Sequence, residues 1–150
     1  MIKNVAIACD HGGYELKLDV IRHLEEKGIA YEDFGCNSTE SVDYPDYGIP
    51  AAKAVAEGKF DAAILICGTG IGMSLCANKV KGIRAAVCSD TFCARMTRAH
   101  NNANVLCMGA RVIGLGVALD IVDAFLGTEF EGGRHATRVE KVMAEEKADR

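Results

Sequence analysis

One cysteine stands directly before three closely spaced glycines in the segment LICGTGIGMSLCANK, residues 65–79. Cys67 ends an apolar run, and Gly68, Gly70 and Gly72 follow it. Glycines in a tight turn between a strand and a helix let backbone N–H groups point outward at the helix N-terminus, where they favour negative charge. Because such N–H groups also stabilise a thiolate, Cys67 is a candidate base or nucleophile beside an anion-binding turn.

Two common phosphate-binding fingerprints do not fit this turn. The P-loop ends in Lys-Ser or Lys-Thr, and the dinucleotide fingerprint requires a third glycine where this chain has Met73. The glycines alone are equally consistent with close packing of a helix on a strand, and most free cysteines are small buried apolar residues. We accept that structural role for the cysteines at positions 9, 36, 76, 88, 93 and 107, and interpret Cys67 as the exception because of its position.

Further polar residues follow the apolar runs that predict strands. Asp10 and His11 follow the first run, Arg111 follows the last, and His100 ends the helical segment after the fourth. Ligands of open parallel sheets collect at the carboxyl ends of the strands, so the histidines, Asp10 and Cys67 are interpreted as an acid and base set. No two histidines have the HxH or HxxxH spacing of a local chelate, so no metal is predicted.

Two arginines lie four residues apart in the last helical segment. Arg134 and Arg138 therefore share one helix face and can hold a single anion between them. The alternative is an ordinary solvated face, on which Glu131 and Glu140 pair with the arginines.

Short apolar runs alternate with helical patterns along the whole chain. Strands are predicted at 5–9, 29–34, 62–67, 84–88 and 105–108, and helices at 14–27, 47–57, 71–80, 90–100 and 115–126. The first helix is expected to bury a stripe of Leu18, Ile21 and Leu24. This alternation predicts a doubly wound, Rossmann-like α/β fold with three α/β/α layers and a five-stranded parallel sheet. The charged segment after Gly127 is interpreted as a C-terminal helix that reaches a partner subunit.

Length and composition are those of an ordinary globular protein. The 150 residues are expected to form one domain, 1–150, and the net charge of -4 gives no field that attracts nucleic acid. The apolar runs are far shorter than the ~20 residues that cross a bilayer, so no membrane is expected. Seven cysteines without a CxxC pair favour free thiols in the reducing cytoplasm.

Six motifs carry a resemblance that extends almost end to end. They are ACDHGG at 8–13, DYPDYG at 43–48, ICGTGIGMSLCANK at 66–79, CSDTFCARMTRAHNNANVL at 88–106, MGARVIG at 108–114 and FEGGRHATRVEKV at 130–142. In combination they resemble the ribose-5-phosphate isomerase B group, within the larger family that includes galactose-6-phosphate isomerase subunits. The resemblance implies aldose–ketose isomerisation of a phosphorylated sugar without metal or cofactor. It also implies a homodimer or dimer of dimers with active sites at the subunit interface.

The resemblance also implies roles for individual residues. Cys67 corresponds to the base that removes the proton between C1 and C2, since this chain has Ser74, Leu75 and Cys76 where another branch carries a carboxylate. His100 corresponds to the acid that opens the sugar ring. The anion hole for the enediolate corresponds to Gly68, Thr69, Gly70, Ile71 and Gly72, with Thr69 also a candidate helper in ring opening.

The remaining matches concern substrate binding. Asp10 and His11 correspond to residues that hold the sugar hydroxyls or the phosphate, Tyr44 to a wall of the pocket and Asn101 to a polar contact. The phosphate-binding positions correspond to Arg111, Arg134 and Arg138, of which the last two are expected from the neighbouring subunit.

Three alternatives to a ribose 5-phosphate isomerase remain open at this point. The same machinery suits a six-carbon substrate such as allose 6-phosphate or galactose 6-phosphate, because only the length of the pocket differs. A non-catalytic sugar-phosphate-binding module would bind without turnover and would leave the positions of Cys67 and His100 without a purpose. A thiol-dependent redox protein is the third, and the absence of a resolving CxxC pair speaks against it.

Overall fold

The computed structural model describes residues 1–148. Its elements are β1 (Asn4–Cys9), α1 (Tyr14–Glu26), β2 (Ala30–Asp33), α2 (Pro45–Ala56), β3 (Ala62–Cys67), α3 (Ile71–Ala77), β4 (Ala85–Val87), α4 (Thr91–Asn101), β5 (Val105–Gly109), α5 (Leu115–Gly127) and α6 (Arg134–Ala144). The five predicted strands and the predicted helices are confirmed, with ends that shift by a few residues. The helix α2 begins two residues early because Pro45 suits a first helical turn.

All neighbouring strands pair in parallel, in the order β2-β1-β3-β5-β4. Alternate residues of the central strands face two separate cores. In β3, Ile64 and Ile66 pack towards α1 and α5, whereas Leu65 and Cys67 pack towards α2 and α3. The predicted three-layer α/β/α architecture is therefore confirmed. The side chain of Cys67 lies on the same face of the sheet as α3, the helix that follows the glycine turn.

The C-terminal helix α6 packs against α4 of its own chain. Across Arg134–Ala144 no residue is fully buried, and Val142 is 65% exposed. Beyond the helix, the Glu146 carboxylate accepts a 2.8 Å hydrogen bond from the Gly82 N–H. The predicted helix is confirmed, and its contact with a partner subunit stays a prediction. Within residues 1–148, no helix has the length and apolar character that a membrane crossing requires.

A lysine occupies the core where the sequence predicts an aliphatic stripe. Lys17 has no exposed surface, and its Nζ donates to Asp33 Oδ1 at 2.7 Å and to the Cys36 carbonyl at 2.6 Å. The expected stripe is correct at Leu24, but Leu18 and Ile21 are only partly buried. This arrangement fastens α1 to the segment that follows β2, next to the site described below.

Replacing Lys17 with methionine should lower the free energy of unfolding by about 1–3 kcal/mol, because it leaves the buried Cys36 carbonyl without its donor. Chemical denaturation of the purified protein measures the change. The matched control is Lys27→Met, since Lys27 is exposed on the same segment. Equal midpoints for the two variants would contradict a stabilising role for the buried ammonium.

Candidate active site at the carboxyl edge of the sheet

Cys67 is the last residue of β3, and the turn that follows wraps its thiol. The residue is only 5% exposed, and its Sγ accepts a 3.1 Å hydrogen bond from the Gly70 N–H. That N–H belongs to the residue that precedes α3, where the first N–H groups of a helix have no partner within it. The predicted meeting of thiol and glycine turn is therefore present in the structure.

Glycine at position 70 is required by the backbone. Gly70 has φ of +81°, and a Cβ there would lie 2.9 Å from the Met108 carbonyl carbon in β5. Gly109 also packs against the backbone of Thr69, because a Cβ on Gly109 would lie 2.6 Å from it. The turn is thus held tightly against β5. Gly68 differs, because a Cβ there would meet only the Arg111 side chain at 3.6 Å.

Gly70→Ala should destabilise the protein by about 1–3 kcal/mol, the usual cost of a strained left-handed residue, with the steric conflict at β5 adding to it. Gly68→Ala, two residues away, should leave the melting temperature nearly unchanged. Thermal unfolding of both variants followed by circular dichroism makes the comparison. Equal losses of stability in the two variants would show that close packing of Gly70 against β5 does not determine the conformation of the turn.

Asp10 and His11 lie beside the turn, as the sequence predicts. Asp10 is 8% exposed, and its carboxylate accepts from the Gly12 N–H at 2.9 Å. Gly12 is adjacent to Gly68, since a Cβ on Gly12 would be 3.4 Å from the Gly68 nitrogen. His11 Nδ1 accepts from the Val42 N–H at 3.2 Å, so the proton of the neutral imidazole sits on Nε2. His11 can therefore offer a donor to a ligand.

Arg111 supplies positive charge to the same edge. Its backbone N–H donates to the Gly68 carbonyl at 3.0 Å, and its exposed side chain passes over Gly68. On the other side of the turn, the Tyr44 ring covers Gly72, where a Cβ would lie 2.8 Å from the ring. A cation, a carboxylate, an imidazole, a thiol and an aromatic ring thus surround the glycine turn.

The remaining predicted residues gather at the opposite, amino edge of the sheet. The helix α4 begins after the carboxyl end of β4 and returns to the start of β5, so His100 and Asn101 lie near the first residues of the strands. There the Asn104 N–H donates to the Arg84 carbonyl at 3.0 Å. The five-residue strand β5 alone separates the two edges by roughly 15 Å. One chain therefore does not bring His100 to Cys67.

Arg134 and Arg138 belong to this second group because α6 lies on α4. A cavity of about 570 Å³ opens between β4, α4 and α6, and Asn101 and Arg138 are among the residues that line it. Arg84 also lines this cavity and was not predicted from the sequence. Its guanidinium donates to the Asn102 carbonyl at 3.0 Å. Only its tertiary position distinguishes this arginine from a surface residue.

His100 also has neighbours that the sequence reading did not single out. Its ring stacks on His135 with centroids 4.1 Å apart, and its Nε2 lies 3.7 Å from Glu131 Oε2. Desolvation and the neighbouring His100 lower the pKa of His135 from its ordinary value. The side chain of His100 is 40% exposed, so this imidazole is accessible from outside the chain.

Most of the other thiols are made inert by burial. Burial raises the pKa of Cys9 to about 12 and that of Cys88 to about 11. It also raises the pKa of Cys76, and that of the fully buried Cys107 lies well above its ordinary value. These groups stay protonated near neutral pH. Their burial confirms the structural role predicted for them. Cys93 is exposed, so the buried role predicted for that cysteine is wrong.

The fold and the carboxyl-edge site define an α/β protein of the Rossmann-like class with a thiol, a glycine turn and charged side chains gathered at one edge of its sheet. A family model described as Ribose/Galactose Isomerase matches residues 5–142. This chain belongs to that family.

Two relatives illustrate the range of names within the family. The chain is 51% identical over 143 residues to ribose-5-phosphate isomerase B of Escherichia coli, and the match covers 95% of this chain and 96% of the relative. It is 46% identical over 140 residues to the D-erythrulose-4-phosphate isomerase of Pectobacterium atrosepticum, with coverage of 93% and 92%.

Solved structures agree with the fold. Ribose-5-phosphate isomerase B of Clostridium thermocellum superposes with a TM-score of 0.95 at 55% identity, over 96% of this chain and 97% of that one. The Mycoplasma genitalium enzyme of the same name, solved with bound ribulose 5-phosphate, superposes with a TM-score of 0.93 at 42% identity over 97% of each chain.

Proposed function

We propose that this protein is an aldose–ketose isomerase that interconverts ribose 5-phosphate and ribulose 5-phosphate, a reaction of the pentose phosphate pathway, in the cytoplasm. The observation that carries the proposal is the Cys67 thiol, held by the Gly70 N–H at the edge where ligands of such sheets bind. The E. coli relative named for this activity, at 51% identity, supports the choice of substrate.

In the proposed mechanism, the Cys67 thiolate takes the proton from the carbon next to the sugar's carbonyl group. The electron pair of the broken C–H bond forms a double bond between C1 and C2 while the π pair of the carbonyl group moves to O1, which gives an enediolate. The proton of the C2 hydroxyl then passes to O1, and the thiol returns its proton to C1 as the carbonyl group forms at C2. The N–H groups of residues 68–72 stabilise the oxyanion. Loss of one such donor typically costs about 3 kcal/mol of transition-state stabilisation.

Binding groups at the carboxyl edge are proposed to orient the open-chain sugar. Asp10 accepts from a sugar hydroxyl, and His11 donates through Nε2 to a hydroxyl or to the phosphate. Arg111 contributes charge to the phosphate. These contacts are remote from the reacting carbons, so their binding energy serves to position the substrate.

The second half of the site is proposed to come from another copy of the chain. The group at the amino edge contains the ring-opening acid His100, the polar contact Asn101 and the phosphate ligands Arg134 and Arg138. Since one chain keeps this group on the far side of the sheet from Cys67, the two halves can meet only where two copies associate. A homodimer, or a dimer of such dimers, supplies that arrangement.

Exposed apolar residues support this association. Around the glycine turn, Ile71 is 55% exposed, Leu75 60%, Val112 59% and Leu115 47%. Large apolar side chains grouped on a surface are typical of protein interfaces. The exposed Val142 of α6 supplies a matching apolar side chain at the opposite edge.

Arg138→Ala should raise KM for ribose 5-phosphate by about tenfold or more, because a hydrogen bond to a charged group is worth about 1.5–3 kcal/mol. Lys141→Ala is the control, since it removes another exposed cation from the same helix. Steady-state kinetics of both variants make the test. Equal KM values for the two variants would remove Arg138 from the phosphate site.

The proposed function is tested by initial rates on ribose 5-phosphate, allose 6-phosphate and erythrulose 4-phosphate under identical conditions. We expect the five-carbon substrate to have the highest kcat/KM. Preference for the six-carbon or the four-carbon sugar would keep the mechanism and change the substrate. Tight binding of all three without turnover would instead support the non-catalytic module.

A further inference from the structure

A cluster of two imidazoles and one carboxylate at the amino edge has no part in the proposed isomerase apart from His100. The loop between α5 and α6 brings the other two members to it. The Glu131 N–H donates to the Ala99 carbonyl at 3.0 Å, next to His100 in α4, and the His135 N–H donates to the Gly132 carbonyl at 3.0 Å. Glu131 is therefore held beside His100 by a hydrogen bond to α4, and His135 is connected to Glu131 through the short turn at Gly132.

The three side chains can supply one ligand atom each from within 4.8 Å of one another. Two ligand atoms on a tetrahedral ion with bonds of about 2.1 Å lie about 3.4 Å apart. His100 Nε2 and Glu131 Oε2, at 3.7 Å, are already close to that separation. Two histidines and one carboxylate are a donor set that Zn²⁺, Fe²⁺ and Ni²⁺ accept in proteins.

One adjustment is needed for all three atoms to bind. The two imidazole planes are within 8° of parallel, whereas a metal ion lies in the plane of each ring that ligates it. One ring must therefore turn about its Cβ–Cγ bond. The Glu131 side chain is 54% exposed and that of His100 40% exposed, so the ligands have room to adjust around an ion.

We propose that His100, Glu131 and His135 form a binding site for a divalent transition-metal ion, and that the bound ion inhibits the isomerase. The ion takes the imidazole nitrogen that ring opening requires, so the inhibitory effect rests on the proposed function of His100. Metal binding itself does not depend on that function. The site differs from a catalytic metal centre because it withdraws a group from the reaction.

Neighbouring charge limits which ions bind. Arg134 precedes His135 directly and Arg138 follows it by less than one helical turn, and both repel a cation. Only one carboxylate compensates them. Mg²⁺ and Ca²⁺ bind mainly through charged oxygen ligands and should not bind here, whereas a transition metal gains from the two imidazole nitrogens.

The first experiment is a calorimetric titration of chelator-treated protein with Ni²⁺. Imidazole binds Ni²⁺ well, and thiolates bind it less readily than they bind Zn²⁺, so the cysteines interfere less. We expect one ion per chain. Even the outer partners of metal ligands are worth about 10- to 100-fold in affinity, so His135→Phe and Glu131→Gln should each weaken binding at least about tenfold. His135→Phe keeps an aromatic ring on His100 and removes only the ligand nitrogens.

The control is His23→Gln. It removes an imidazole whose Nε2 lies 2.7 Å from the Asp123 carboxylate, in a pair of residues rather than a cluster of three. Its affinity for Ni²⁺ should equal that of the unaltered protein. An affinity that His135→Phe and Glu131→Gln leave unchanged would overturn the site. So would the absence of binding, or binding of Mg²⁺ with similar affinity.

A second measurement tests inhibition. Ni²⁺ should slow the isomerisation of ribose 5-phosphate by the unaltered protein, and EDTA should restore the rate. At the same Ni²⁺ concentration, the His135→Phe variant should keep the rate that it shows without metal. Inhibition that persists in His135→Phe would overturn the inhibitory role. A protein that binds Ni²⁺ as expected but turns over no sugar phosphate would overturn the proposed function and leave the metal site intact.

Discussion

A Cys67→Ala variant should isomerise ribose 5-phosphate with a kcat about 10²- to 10⁴-fold below that of the unaltered protein, the range that a positioned general base contributes. The substitution removes the sulfur that accepts from the Gly70 N–H and leaves the rest of the turn in place. KM should change little, because the binding groups Asp10, His11 and Arg111 remain. The loss should therefore appear almost entirely in kcat.

Two measurements separate loss of the base from loss of the fold. Initial rates of ketose formation report turnover, and incorporation of deuterium at C2 from D₂O reports proton removal even where turnover is slow. Cys93→Ala is the control, since Cys93 is exposed and far from the turn in sequence. A Cys67→Ala variant that keeps most of its activity and still exchanges the C2 proton would mean that another group is the base.

Hetero-oligomers made from two inactive variants should regain activity. If Cys67→Ala and His100→Ala chains are co-expressed with different affinity tags and purified through both, each dimer contains one site with both substitutions and one with neither. By the twofold symmetry of such a dimer, we expect about half of the activity per chain of the unaltered protein. Either variant alone should be nearly inactive. The physical reason is the separation of Cys67 and His100 at opposite edges of the sheet.

The matched control combines Cys67→Ala with Arg111→Ala. Both residues lie at the carboxyl edge, so each site of that heterodimer carries one of the two substitutions and no site is intact. We expect no activity above the mean of the two variants measured separately. Recovery in the control, or its absence when Cys67→Ala is paired with His100→Ala, would contradict a site assembled from opposite edges of two chains.

The local pattern of the sequence was sufficient for the elements and for one half of the site. Strand and helix periodicity is a short-range property, and the five strands follow it within a few residues. Asp10, His11 and Cys67 could be grouped because each directly follows a predicted strand, and the carboxyl ends of parallel strands share one edge. Gly70 could be recognised as a turn glycine, although its contact with Met108 could not.

The amino-edge group could not be deduced in the same way. His100 lies in the last turn of α4, which runs antiparallel to the strands. The sequence pattern groups His100 with Cys67 as if both followed strand ends, whereas the sheet separates the two residues within one chain. The contacts of His100 with Glu131 and His135 depend on a backbone hydrogen bond from Glu131 to Ala99, across more than 30 residues. No periodic pattern encodes such a contact.

The same distinction holds for the core. Helical spacing predicted an aliphatic stripe on α1, yet burial of Lys17 depends on a carboxylate and a carbonyl that the segment after β2 brings to it. The sequence by itself determined the α/β class, the order of elements and the thiol beside the glycine turn, because these follow from local periodicity and chain order. Only the tertiary structure decided which edge each group occupies, since that depends on helix direction and on hydrogen bonds between residues far apart in the chain.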